Sequence, residues 1–150
     1  MSPLGHLALA VLAARIAGYR GRAAAVLLVG AFLPDVVDKP LGALGLVPSF
    51  HTVGHSVFVL AAVGAVCLAT GRGRPLALGW LSHLLGDLPL AIPRYLDHYI
   101  WPALAPPAPP ADPVRGYVVG YATSPAFAAE LLLFGLALVL VAPDLLRAET

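Results

Sequence analysis

The sequence predicts an all-α fold, a single integral membrane helical bundle of about five spans covering residues 1–150. Three observations carry that expectation. The chain is 59% hydrophobic and 11% charged, with a mean hydropathy of +0.86. Soluble domains carry roughly 25% charged residues, so this chain cannot cover its surface with polar groups, and lipid is the solvent that removes the difficulty. The apolar residues also fall in long, continuous Leu/Ala-rich runs rather than in alternation, which favours helices over a barrel. Finally, most ionisable residues near these runs gather towards one set of run ends.

Taken in order, the runs are roughly residues 3–19, 23–38, 53–70, 75–92 and 125–142. Each is slightly shorter than the ~20 residues of a full crossing. The first lacks a positive start before its apolar core, so it reads as a retained span and not as a cleaved secretory signal. The third and fifth are spans on apolarity alone; the first, second and fourth contain ionisable residues. Pro89 and Pro93 are expected to kink or end the fourth. Residues 102–124 form a Pro-rich outer loop, too proline-dense for a helix over most of their length. Asp97 and His98 read as surface residues of the same outer side. The single cysteine, Cys67, lies in an apolar run and indicates neither a disulfide nor a thiolate site.

Basic residues orient the chain. Arg20, Arg22, Arg72, Arg74 and Arg147 fall on one side of the five runs, and Lys39, Arg94 and Arg115 on the other. The positive-inside rule then places the N-terminus outside and the C-terminus in the cytoplasm of a multi-pass membrane protein. Arg15 can snorkel to the inner interface, while Tyr95, Tyr99 and Trp101 sit near the outer one. A net charge of +1 offers no basic field for nucleic acid.

With that orientation His6, Asp35, Asp38, His51, His55, His83, Asp87 and Glu130 all fall at the outer face. The chain reverses at every span, so random placement would divide them between faces. His51/His55 and His83/Asp87 are i,i+4 pairs, and Asp35/Asp38 an i,i+3 pair, spacings that aim two side chains at one centre from a single helical face. Buried ionisable groups in a bilayer are costly without partners. Carboxylates at a helix C-terminus are further disfavoured and a bound cation reverses that, whereas histidines at a helix N-terminus stay neutral, the form that ligates metal. Imidazole plus carboxylate without thiolate suits Zn²⁺ or Mn²⁺. Four histidines and three aspartates exceed the needs of one tetrahedral ion and could serve two. His6, Asp35, Asp38, His51, His55, His83 and Asp87 are therefore the candidate metal ligands, and Glu130 the candidate general base. Ser56 and Ser82 lack a Ser-His-Asp context, and no P-loop, GxGxxG, CxxC or HExxH motif is present.

"HLALA" at 6–10, "LPDVVDKPL" at 33–41, "HTVGHS" at 51–56 and "HLLGDLPL" at 83–90 together resemble the membrane-bound metal-dependent hydrolases of the LexA-regulated inner-membrane protein family. The resemblance spans roughly residues 5–102. It implies a small helical membrane protein with a His/Asp metal site, and its pattern falls on His6, Asp35, Asp38, His55, His83 and Asp87. The family's middle motif often reads His-Arg-Gly-x-Thr-His-Ser; here the arginine is absent and the histidine interval is one residue shorter.

The expected function is a membrane-embedded hydrolase acting through metal-activated water on a phosphoester or lipid-linked substrate. A metal-ion or proton transporter or binding protein, and a non-catalytic module with a structural metal, are the alternatives. A conduit requires polar relays through the full thickness, yet the inner halves of spans two to five are almost wholly apolar.

Overall fold

A computed structural model describes residues 1–91, 96–107, 112 and 118–148. Pro93, Arg94, Tyr95, Arg115, the side chain of Arg147 and much of the Pro-rich loop lie outside the described residues. Among the described residues there are seven helices and no strand: α1 (Pro3–Ile16), α2 (Gly21–Ala43), α3 (Val57–Thr70), α4 (Arg74–Ala91), α5 (Leu96–Tyr99), α6 (Gly120–Ala122) and α7 (Pro125–Ala148). The fold is all-α. One stretch, Pro125–Pro143, is long and apolar enough to cross a membrane, with a mean hydropathy of 2.2 and only 11% of it buried. α1 and α3 are apolar but have 14 residues each.

Helix ends follow local chemistry. Ser2 caps α1, accepting from the Gly5 N–H, with Pro3 in the first turn where its missing N–H costs nothing. Ser56 caps α3 by accepting from the Phe58 N–H at 3.2 Å, and Gly71 ends it in the left-handed conformation, φ 66°.

Several boundaries differ from the sequence expectation. α2 continues past residue 38 to Ala43, with Pro34 and Pro40 inside it. Asp35 and Asp38 therefore sit within a helix, not at its end. α3 begins only at Val57, so His51 and His55 lie in the connecting segment 44–56 and their i,i+4 spacing does not place them on a helical face. α4 continues through Pro89 to Ala91, and α7 through Pro143 to Ala148.

α2 and α4 form the centre, with α1 against both, α3 against α4 and α7 against α1. They run in the same direction: Leu27 meets Gly79 and Ala31 meets His83. Their closeness depends on glycine. A Cβ on Gly79 would overlap the Leu27 carbonyl, and one on Gly30 the Leu76 carbonyl. Small residues allow such backbone approach between helices and so increase dispersion contact along the seam. Two apolar clusters flank this seam, Ala10, Ala14, Leu27 and Ala31 on one side and Trp80, Leu84 and Tyr99 on the other.

The distribution of polarity is inverted. The largest fully buried side chains are mostly polar: His6, His55, His83, Thr52, Asp38, Ser49 and Ser56. Conversely Ile16 is 88% exposed, Leu132 78% and Val139 69%.

Candidate metal centre

The centre forms where α1, α2, α4 and the 44–56 segment meet. α4 supplies His83 and Asp87, one turn apart on one face, 3.4 Å between Nε2 and Oδ2. α1 supplies His6, whose ring stacks on His83 with centroids 3.7 Å apart and whose Nε2 lies 3.4 Å from Asp87 Oδ1. α2 supplies Asp35 and Asp38. The connecting segment brings His55 across α2 and places His51 at the rim.

The protonation of the two central imidazoles is set by their partners. His83 Nδ1 donates to the Ala31 carbonyl at 2.6 Å, in the turn where Pro34, lacking an N–H, removes an intrahelical hydrogen bond. His55 Nδ1 donates to Asp38 Oδ2 at 2.8 Å. A carbonyl and a carboxylate only accept, so both Nδ1 atoms carry hydrogen, and in the neutral rings both Nε2 atoms present lone pairs. These two Nε2 atoms face each other at 3.1 Å. Two lone pairs at that distance require a cation, either a shared proton or a metal.

Asp87 Oδ2 completes a triangle, 3.5 Å from His55 Nε2 and 3.4 Å from His83 Nε2. Ligand atoms 2.0–2.1 Å from a tetrahedral Zn²⁺ lie about 3.3 Å from one another, so these three edges match a nitrogen-and-oxygen tetrahedral donor set. His6 Nδ1 is buried without a hydrogen-bond partner, which marks a second point where a polar atom awaits a ligand. The Met1 nitrogen is placed against Asp87 Oδ1. The donor set fits a divalent cation.

Two neighbouring groups of ligand atoms can be distinguished, His6/His83/Asp87 and Asp35/His51/His55, each within 4.8 Å internally. They adjoin through His55, whose Nε2 is 3.7 Å from Asp35 Oδ1. The second group already contains a cation. Lys39 Nζ donates to Asp35 Oδ1 at 2.9 Å and lies 3.4 Å from His51 Nε2. Burial holds the His51 imidazole well below its ordinary pKa, reinforced by the nearby His55 and Lys39.

Asp38 does not face the centre. Its oxygens accept from the Thr52, Gly54 and His55 N–H groups at 2.6, 2.9 and 3.3 Å, from the Thr52 hydroxyl at 3.4 Å, and from His55 Nδ1. The structure places it behind His55, orienting the ring, where a ligand was expected. Such carboxylate–imidazole pairs fix the tautomer and raise ligand basicity.

Glu130 is also elsewhere. Its carboxylate accepts from the Ser2 N–H at 3.0 Å and from the Ser2 and Tyr121 hydroxyls. It lies at the positive end of the α1 dipole and joins α7 to α1. Among the described residues its hydrogen bonds go to Ser2 and Tyr121 and none to His6, His55, His83 or Asp87, so the expected base does not sit on the centre. His98, expected at the surface, is buried, and its Nδ1 donates to the His51 carbonyl at 2.7 Å. Burial lowers its pKa, partly opposed by that hydrogen bond.

Sequence reasoning missed Thr52, Gly54, Trp80 and His98, which shape the segment carrying His55. Trp80 Nε1 donates to the Gly54 carbonyl at 2.7 Å, and a Cβ on Gly54 would overlap the Pro34 carbonyl. Only the glycine in "HTVGHS" could have signalled this close approach.

Comparison with protein-family models, with curated proteins and with solved structures finds no match to this chain.

Proposed function

We propose that the chain is a multi-pass inner-membrane bundle of about five spans, N-terminus outside, whose His/Asp centre holds Zn²⁺ or Mn²⁺ and hydrolyses a phosphoester or lipid-linked substrate, as its resemblance to the LexA-regulated inner-membrane hydrolases implies. The observation that carries the metal is the His55–His83–Asp87 triangle, with edges of 3.1 to 3.5 Å and both imidazole tautomers set by outer partners. The inverted distribution of polarity supports the membrane: buried imidazoles and carboxylates inside, Leu, Val and Ile outside.

A divalent cation at this position would supply Lewis acidity towards a phosphoryl oxygen and make a water acidic near neutral pH. The chain's own residues do the remainder. His55, His83 and Asp87 hold the charge, with His6 and Asp35 beside them. Asp38 keeps His55 Nδ1 protonated, so Nε2 points inward as a donor of electrons. Lys39, half-exposed at the rim, can meet an anionic phosphoryl group while Asp35 holds its ammonium.

The test is metal analysis of the purified protein, with Asp87→Asn and His83→Ala beside wild type, followed by a phosphodiester and phospholipid hydrolysis screen. We expect roughly one or two equivalents of metal in wild type, its loss in both variants, and hydrolysis only by the metal-loaded protein. Full metal content in both variants would rule out this centre.

One observation favours a second reading, a non-catalytic module with a structural metal. His6, His55 and His83 are almost fully buried, and Asp87 and Asp35 beside them are only 14% and 24% exposed. A closed ligand set belongs to structural sites. Metal retained with no hydrolysis of any ester would support this reading.

A further inference from the structure

At the far end of α1 from His6, Arg15 and Arg20 stand five residues apart. Arg15 lies nine residues beyond His6, about 13 Å along the helix axis. Around it, where α1 turns into α2 and α7 passes alongside, is a cavity of about 280 Å³. Arg15, Tyr19 and Arg20 line it together with the apolar Val11, Leu28 and Val141.

We propose that this groove binds the phosphate of an anionic phospholipid, with Arg15 and Arg20 on the phosphate and Val11, Leu28 and Val141 along an acyl chain. The proposal rests on the membrane reading above. The planar fork of a guanidinium matches phosphate geometry. Basic pockets between helices on the cytoplasmic side of a membrane bind anionic headgroups, and the positive-inside orientation puts this turn on that side.

The apolar wall separates a lipid from free phosphate. A bare anion would leave Val11, Leu28 and Val141 facing water. An acyl chain covers them and continues onto the neighbouring apolar surface, where Ile16 is 88% exposed. Tyr19, half-buried at the same level, is an amphipathic ring of the kind that settles at headgroup depth.

The experiment uses the full chain purified in neutral detergent and offered equimolar phosphatidylglycerol and phosphatidylcholine with matched acyl chains. Co-purifying lipid is read by mass spectrometry. Wild type should retain phosphatidylglycerol preferentially, and Arg15→Gln and Arg20→Gln should each reduce the preference roughly fivefold. Arg20 precedes α2 without a side-chain capping bond, so its substitution leaves the helix start intact. Arg72→Gln/Arg74→Gln, at the other basic turn, should leave the preference unchanged. Equal retention of both lipids overturns the groove, as does an equal loss in the Arg72/Arg74 variant, which would indicate only diffuse charge. Displacement of the lipid by millimolar inorganic phosphate also overturns it. Reconstitution with phosphatidylcholine alone separates the two levels. Failure to float with those vesicles removes the membrane reading and the groove together, whereas flotation without headgroup preference removes the groove alone.

Discussion

At the scale of single residues, Asp38 and Asp87 divide the work of one site. Asp38 has no solvent exposure and takes five donors, all of them from the segment after α2. An Asp38→Asn amide would turn N–H donors towards N–H donors. It should cost at least about 3 kcal/mol of stability, since hydrogen bonds to charged groups contribute about 1.5–3 kcal/mol each, and reduce metal affinity roughly 10–100-fold through the misdirected His55. Asp87→Asn should instead abolish metal binding with a smaller change in thermal stability. Chelator competition and unfolding in detergent, run side by side, distinguish the two patterns. His98 gives a pH prediction. Its folded pKa is depressed, so as pH falls the unfolded chain takes up a proton first. Its contribution is therefore fully present above the unfolded value of about 6.5 and is lost as pH falls towards the folded value. His98→Asn keeps a donor for the His51 carbonyl and should flatten the decline in melting temperature between about pH 7.5 and 5.5. An unchanged slope would refute the assignment.

At the scale of helices, the α2–α4 seam and the α7 anchor make separate claims. Gly79→Ala places a methyl group on the Leu27 carbonyl and should destabilise by about 1–3 kcal/mol or more. Gly135→Ala meets nothing within 4 Å and should stabilise α7 by up to about 1 kcal/mol through helix propensity. Glu130→Gln should loosen α7 from α1, raising protease sensitivity near Ser2, while metal content stays at the wild-type level; loss of metal instead would return Glu130 to the centre. The sequence made the α4 contribution legible because His83 and Asp87 stand one helical turn apart within an apolar run. It misled over His51 and His55. The same spacing there falls in a turn, and Ser56, a strong N-cap residue, was the available sign that the helix starts after them. Asp35 and Asp38 look alike in sequence. Only the amides of Thr52 and Gly54, which leave no mark in side-chain chemistry, assign one to His55 and leave the other beside Lys39.

At the scale of the whole molecule, the inversion of polarity makes the strongest demand on its surroundings. An exposed face of Leu132, Leu136, Val139 and Ile16 would aggregate in water, since soluble monomers seldom expose large contiguous apolar patches. In a Cys67→Ala background, Val53→Cys and Arg72→Cys should label from opposite sides of sealed vesicles, residue 53 from outside. Labelling from one side would reverse the proposed crossing of α3. Composition predicted the all-helical class because Leu/Ala runs leave no other way to satisfy backbone polar groups in hydrocarbon. It could not give helix lengths: α2 runs through Pro34 and Pro40 to Ala43, and α7 through Pro143 to Ala148, past the ends expected at 38 and 142.

The segment between α2 and α3 is gripped from two directions, by the Asp38 carboxylate in front and the Trp80 indole behind. It cannot take its shape until those helices stand side by side. Maturation of the centre is then a late event, following helix docking and not the entry of any single helix. A chain whose helices have not docked would own every proposed ligand and still lack the grasp, so uptake of the proposed cation is expected to serve as a clock for tertiary assembly.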